Sequence, residues 1–144
     1  MINIAIPDRW VRKAVYDNVN GVAVDGTPIP CFDYRTGGRN PQDYILLGAQ
    51  FNDSNEFSLC GYRWTHTMNI ECYTRVPSSG NPGSRLKADL IAEMVLANMQ
   101  TLQLDPASGL EIVRYNVTLL TDFYEDDGQF IVASKIVQLN ATIN

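Results

Sequence analysis

The sequence predicts an α+β fold: a mostly antiparallel β-sheet with two main helices packed on it and a long C-terminal β-hairpin. Two segments have helical periodicity, several others alternate as strands do, and their order is helix, strands, helix, strands. A chain of 144 residues is long enough to bury one core without disulfides or metals. We therefore expect residues 1–144 to form a single domain.

The first helix is predicted over the segment PDRWVRKAVYDNVNG, residues 7–21. Pro7 is tolerated in a first turn, where its missing N–H costs no hydrogen bond. One apolar face is formed at helical spacing by Val11, Ala14, Val15 and Val19. Gly21 then ends the helix.

Short extended pieces follow in VAVDGTPIPCFDY, residues 22–34, around an Asp25-Gly26 turn. Pro28 and Pro30 place this region at a sheet edge or in a loop, because proline cannot donate to a strand ladder. RTGGRNPQD is predicted as a loop and YILLGAQF as a strand. The polar NDSNE segment is predicted to link that strand to a long extended segment from Phe57 to about Val76.

The second helix is predicted over RLKADLIAEMVLANMQTLQL, residues 85–104, after the strand-breaking segment PSSGNPGS. Ser84 is a favourable N-cap. One broad face is expected to face the core, comprising Leu86, Leu90, Ile91, Met94, Val95, Asn98 and Leu102.

The C-terminal segment, residues 110–144, is predicted to be one long hairpin. A three-residue loop, Asp126-Asp127-Gly128, with glycine in the left-handed position, pairs apolar residues with one another. It places Phe123 opposite Ile131, Val117 opposite Val137, Tyr115 opposite Leu139, and Val113 opposite Ala141. Lys135 opposite Leu119 is the one unfavourable pair in this register.

The segment RWTHTMNIECYTR, residues 63–75, contains the only histidine of the chain together with Glu71 and Cys72. Its alternation predicts a strand, with His66 and Cys72 on one face about 20 Å apart and Glu71 on the other face. A Cys–His catalytic pair needs contact near 3 Å, so this segment cannot supply one. We predict that Trp64, Met68 and Ile70 pack against a helix.

No other pattern predicts a catalytic, cofactor or metal site. A zinc site would need His66 with Cys31, Cys60 and Cys72, which lack the close ligand spacing of structural zinc sites. RTGGR lacks the phosphate-loop pattern, and YEDDG is too short for a calcium loop. We expect no cofactor and no metal.

Charge and composition exclude further classes. The net charge of −5 and the absence of a basic run disfavour specific binding to nucleic acid or to an anionic membrane. The N-terminus lacks the pattern of a secretory signal, and no apolar run approaches a membrane span. Three cysteines without C-x-x-C spacing indicate free thiols in a reducing compartment.

The order of segments resembles the tail terminator (tail completion) family of tailed bacteriophages. The resemblance runs from VRKAVYDNV through PQDYILLG, the long strand GYRWTHTMNIECYTR and the helix SRLKADLIAEMVLANM to the final hairpin with its acidic turn. It covers most of the chain but contains no catalytic signature. The segment Pro28-Ile29-Pro30-Cys31 and the polar FNDSNEF connection depart from the family pattern.

This resemblance implies a non-enzymatic virion protein, assembled in the host cytoplasm and located at the head–tail junction. It would form a homo-oligomeric ring, commonly a hexamer, which caps the tail tube and contacts the tail tube protein and the head connector or portal-side neck proteins. DNA would pass through the lumen without specific binding, and no membrane is involved. Another neck, tube or adaptor ring, including one of a short-tailed phage, and a small cysteine- or histidine-dependent enzyme stay as alternatives.

Exposed loops are the natural candidates for contacts with subunits and partners. We predict an interface at the loop containing Arg35 and Arg39, at the loop around Asn81, and at the hairpin tip with Asp126 and Asp127.

Overall fold

The computed structural model describes residues 6–33, 42–58, 61–77, 84–126 and 128–144. These residues form two α-helices, α1 (Asp8–Val19) and α2 (Ser84–Asn98). Their strands are β1 (Val22–Val24), β2 (Thr27–Ile29), β3 (Cys31–Asp33), β4 (Asp43–Ser58), β5 (Gly61–Pro77), β6 (Ile112–Asp126) and β7 (Phe130–Ile143). The predicted α+β class is confirmed.

Five strands form one sheet in the order β3-β4-β5-β7-β6, in which only β3 and β4 are parallel. Both helices lie on one face of this sheet, with α2 against β5 and β7 and α1 against β3 and β4. The strands β1 and β2 form a separate hairpin, whose turn residues Asp25 and Gly26 have φ of 51° and 78°. Two successive positive φ angles are the geometry that the Asp-Gly pair predicts for a tight hairpin turn.

Helix α1 agrees with its predicted face. Val11, Ala14, Val15 and Val19 are all buried, while exposed residues alternate with them at helical spacing. The helix ends where Asn20 turns to extended geometry and Gly21 follows with φ of 80°. The spacing of the apolar residues and the position of Gly21 therefore predict both the buried face and the end of this helix.

Helix α2 begins near its predicted start but ends at Asn98 rather than at Leu104, and its predicted core face is wrong in part. Leu86 is 64% exposed and Met94 is also exposed, although both were assigned to the core. Ile91, Val95 and Leu102 are buried as predicted, and the buried set also includes their neighbours Ala88, Ala92 and Met99. Alanine side chains let the helix backbone approach the sheet closely, and this contact rotates the larger Leu86 towards solvent.

The polar NDSNE segment is also not the predicted link. It belongs to β4, which continues to Ser58 and pairs with β5 up to Ser58 opposite Gly61. The pairing contains two irregularities, between Leu47 and Gln50 and between Asp53 and Glu56. Backbone pairing to β5 therefore outweighs the low strand propensity of asparagine and aspartate in this segment.

The alternation of β5 is confirmed. His66, Met68, Ile70 and Cys72 are buried on the helix-bearing face, and Trp64 is partly buried beside the same core. The opposite face carries half-exposed polar residues with cross-strand hydrogen bonds, such as Thr67 Oγ1 to Asn140 Oδ1 at 3.2 Å.

The predicted register of the C-terminal hairpin is wrong. Val117 lies opposite Leu139 rather than Val137, and Tyr115 lies opposite Ala141 rather than Leu139. In the half of the hairpin away from the turn, from Arg114 to Leu119, each residue of β6 therefore pairs two residues away from its predicted partner in β7. Because side chains alternate with a period of two, such a displacement leaves every residue on its expected face, and the apolar pattern cannot detect it.

A β-bulge between Leu119 and Asp122 changes the register of the outer half once more. Beyond it, Phe123 lies opposite Ser134 and Asp126 opposite Ile131, so Asp126 belongs to the strand rather than to the loop. Gly128 has the predicted positive φ, 89°. Asp127 lies outside the described residues.

The two-residue displacement removes the unfavourable pair of Lys135 with Leu119, which lies opposite Val137 instead, and the bulge then brings Asp122 opposite Lys135. Lys135 now lies opposite Asp122, and its Nζ contacts Asp122 Oδ1 at 2.7 Å and Asp89 Oδ1 of α2 at 3.2 Å. One lysine thereby joins β6, β7 and α2. An extra residue in β6 supplies an ion pair that a regular ladder would lack.

Candidate interaction surface

His66 is a buried structural residue within β5. It is fully buried, and its partners come from β4. Nδ1 lies at hydrogen-bond distance from Asn52 Oδ1, and Nε2 lies 3.1 Å from Gln50 Nε2. These partners fit the neutral tautomer, in which Nδ1 carries the proton and Nε2 accepts from the glutamine amide.

The same polar cluster ties β4 to the start of α1. Asn52 Nδ2 donates to Asp8 Oδ1, Gln50 Nε2 also donates to the Asp8 carbonyl, and Arg12 Nε donates to Gln50 Oε1 at 2.7 Å. Burial lowers the pKa of His66, the Asp8 carboxylate opposes that shift, and Arg12 adds to it. The cluster holds helix to sheet and leaves no ring nitrogen open to a substrate.

Cys31 and Cys72 are free and buried. Ile45 pairs with Cys31 on one side and with Cys72 on the other, so the two cysteines are two strands, about 10 Å, apart. Burial raises the pKa of each thiol to about 12. A thiol held protonated in this way is a poor nucleophile, so the geometry does not support catalysis at either cysteine. Cys60 lies outside the described residues.

Within the described ranges, no group of three or more histidine, cysteine, aspartate or glutamate residues is placed to hold a metal ion. Among those same residues, neither helix has the length and apolar content to cross a membrane.

Of the predicted interface residues, only Asp126 falls within the described part of the chain. Arg35, Arg39, Asn81 and Asp127 lie outside it. Asp126 is exposed at the end of β6, and its Oδ1 accepts a hydrogen bond of 2.9 Å from the Gly128 N–H. Its carboxylate therefore shapes the turn as well as facing solvent.

Among the residues whose burial the structure describes, exposed apolar side chains are most concentrated in the outer half of β6, residues Leu119–Asp126. It includes Leu119, Leu120, Phe123 and Tyr124, which are 47–57% exposed. β6 is the last strand of its sheet, and no described strand pairs with its outer side. Such an edge is a template for further pairing unless something covers it.

A groove lies at the opposite edge of the same sheet, between α1 and β3. This α1–β3 groove encloses about 560 Å³ and is lined by Arg9, Arg12, Lys13, Tyr16, Cys31, Phe32, Asp33 and Leu47. Arg12 is engaged inside the molecule by Asp33, Gln50 and the Gly48 carbonyl. Arg9, Lys13 and Tyr16 are exposed along the outer side of α1.

This fold recurs in a chain of a gene transfer agent particle. A chain from the structure "Virion of native gene transfer agent (GTA) particle" aligns with 94% of this chain and 96% of its own length. The TM-score is 0.53 and the sequence identity 16%. At that identity the similarity shows a shared fold. No protein family matches the sequence, and no curated protein matches it.

The predicted interfaces are polar loops, so they do not include the exposed apolar residues in the outer half of β6. A signal was present in the sequence, where Leu119, Leu120, Phe123 and Tyr124 crowd a strand near its turn. Their exposure depends on β6 being an edge strand, and no local pattern specifies that.

Proposed function

We propose that this chain is a structural, non-enzymatic protein of a phage-like virion that forms a ring at the head–tail junction. In this role it caps the tail tube, joins it to the head connector and lets DNA pass. The observation that carries the proposal is the fold shared along nearly the full length of a chain from a gene transfer agent virion.

Two further properties support a ring role. The sheet has two exposed edges that differ from each other, the outer half of β6 and the α1–β3 groove, and unlike surfaces suit head-to-tail association. The net charge of −5 disfavours tight binding to DNA phosphates, as a passage for DNA requires. We propose a hexamer located in the virion after assembly in the host cytoplasm.

The proposed partners are a tail tube protein on one side and a connector or portal-side neck protein on the other. Disrupting the gene in a host that produces the particles tests this placement. We expect separate filled heads and tubes of uncontrolled length, because a growing tube would lack the cap that stops it. Electron microscopy of the particles, with and without a plasmid copy of the gene, measures both features.

The same experiment separates the proposal from its nearest alternative. A neck or adaptor ring that does not cap the tube would leave tube length normal when it is missing, although heads and tails would still fail to join. Normal joined particles without the protein would contradict both roles.

A further inference from the structure

The outer half of β6 has the properties of a surface that another molecule covers. Leu119 and Tyr124 lie opposite Val137 and Ala133, while Phe123, opposite Ser134, lies on the other face of the strand. Exposed apolar side chains therefore occur on both faces of one edge, next to the acidic residues Glu125 and Asp126. Natural edge strands usually carry charges, proline or bulges that prevent pairing. Asp122 and the bulge interrupt this edge, but Asp122 is paired with Lys135, and the four apolar side chains around it are still 47–57% exposed.

The α1–β3 groove has complementary chemistry. Its lining includes three cations, Arg9, Arg12 and Lys13, against one carboxylate, Asp33, which pairs with Arg12. Lys13 contacts Asp17 at 2.9 Å, but both side chains are more than half exposed. An exposed ion pair of this kind contributes little free energy, so Lys13 can leave Asp17 for another carboxylate. Tyr16 and Phe32 supply an apolar floor between the charges.

We infer that the outer half of β6 of one copy docks on the α1–β3 groove of the next copy. Acidic Glu125 and Asp126 would meet the side of the groove that carries Arg9 and Lys13, and Phe123 would cover Tyr16 and Phe32. The occupant is a second copy because this chain carries both members of a complementary pair, on opposite edges of one sheet.

The position of the two surfaces fixes the type of contact. They are separated by the full width of the five-stranded sheet, about 19 Å at the usual strand spacing. A contact between unlike surfaces is heterologous, so each copy keeps one surface free for a further copy, and the chain of contacts closes into a ring when the rotation permits. This inference deepens the proposed function by naming the surfaces through which the ring closes.

A charge-exchange experiment tests the contact. The hairpin variant combines Glu125→Lys with Asp126→Lys, and the groove variant combines Arg9→Glu with Lys13→Glu. Sedimentation velocity measures self-association of each protein. We expect the dissociation constant of each variant on its own to rise at least about tenfold, because like charges then face each other. A 1:1 mixture should recover the wild-type size, since every contact in an alternating ring again joins opposite charges.

Matched controls separate this contact from general effects of charge or hydrophobicity. Glu93→Lys with Glu111→Lys makes the same change in net charge as the hairpin variant, at exposed positions elsewhere, and should leave association unchanged. Phe123→Ser should weaken association, whereas Phe51→Ser, at an exposed position on β4, should not. Circular dichroism and urea unfolding check that each variant is folded.

The possible results have distinct meanings. If the groove variant forms assemblies of wild-type size, β6 does not dock on the groove and the inference is wrong. The copies would then associate by pairing of β6 with β6. A wild-type protein that stays monomeric at every concentration also overturns it. If particles show a ring of this protein at the junction while both variants still assemble, the proposed function stands and this interface is wrong. If the exchange works but particles lack the protein at the junction, the interface stands and the proposed function fails.

Discussion

At the scale of single residues, His66 shows how a reactive residue type can serve packing. Its two ring nitrogens are used by Asn52 and Gln50, which lie in β4, and the cluster continues to Asp8 and Arg12 in α1. The histidine thereby connects β5 with β4 directly and with α1 through the cluster, and it stabilises the fold through these hydrogen bonds. Removing it would leave buried amide groups without partners.

We expect His66→Ala to lower the free energy of unfolding by about 2–4 kcal/mol, since it opens a cavity and leaves polar groups unsatisfied. The pH dependence should also change. The folded pKa of His66 is lowered from 6.5, so the unfolded chain takes up the proton first as pH falls. Its stabilising contribution is therefore full above pH 6.5 and declines as pH drops below it.

Urea unfolding at pH 7.5 and 5.5 measures this effect. The wild type should lose more stability between these values than His66→Ala does, and Met68→Leu, a control on the same buried face, should keep the wild-type difference. Equal losses in the wild type and His66→Ala would contradict the assignment of a neutral histidine in the folded state.

At the scale of elements, α2 and β6 are positioned by contacts rather than by their own patterns. Ala88 and Ala92 bring α2 close to the sheet, and the bulge in β6 brings Asp122 to Lys135. In each element a large apolar residue, Leu86 in one and Phe123 in the other, is left exposed. Size and apolarity do not decide burial here.

The contact of α2 with the sheet predicts that its alanine positions matter more for stability than its exposed leucine, although leucine is usually the residue that a core needs. Ala92→Leu should destabilise the protein by about 1–3 kcal/mol, because a larger side chain cannot fit without moving the helix. Leu86→Ala should change stability by less than about 0.5 kcal/mol, since the side chain is mostly exposed. Urea unfolding of both variants checks the pair, and a larger loss for Leu86→Ala would show that the buried stripe is misplaced.

The ion pairs of Lys135 predict a local effect. Lys135→Met should lower global stability by no more than about 1 kcal/mol, as partly exposed ion pairs contribute little. Amide hydrogen exchange in the outer half of β6 should nevertheless accelerate, because Asp122 loses its link to β7 and α2. Lys13→Met, which removes an ion pair confined to α1, should leave exchange in β6 unchanged. Unaltered exchange in Lys135→Met would show that the bulge holds β6 without the lysine.

At the scale of the whole molecule, the fold places unlike surfaces at the two edges of one sheet. The strand order β3-β4-β5-β7-β6 puts an apolar acidic strand at one edge and a cationic groove at the other. This arrangement supports both the ring and the contact proposed above.

Self-association by such a contact should weaken as salt rises. Screening shortens from about 10 Å at 0.1 M salt to about 3 Å at 1 M, so attraction between Glu125 or Asp126 and the groove cations declines. Sedimentation across this range should show a dissociation constant that increases about tenfold or more for the wild type. The control pair Glu93→Lys with Glu111→Lys should show the same dependence, and association that is insensitive to sodium chloride would contradict the charged part of the contact.

The sequence by itself determined the elements and the faces of most of them. Helical spacing of apolar residues predicts the buried face of α1, and alternation predicts the buried face of β5. The Asp25-Gly26 pair predicts the turn between β1 and β2. These features depend on neighbours within a few residues, where backbone geometry and side-chain direction are fixed by local sterics. The absence of a Cys–His pair in β5 followed from the same geometry.

Tertiary structure decided the register, the edges and the partners. Shifting the β6–β7 pairing by two residues leaves each side chain on the same face of the sheet, so the apolar pattern does not distinguish these registers. The observed register is the one in which the bulge brings Asp122 opposite Lys135. The hydrogen-bond partners of His66 are 14 and 16 residues away along the chain, and which strand is an edge depends on the order of all five. The surface that we propose for association, the outer half of β6, is exposed for that reason: strand order, and not its own apolar composition, leaves it uncovered.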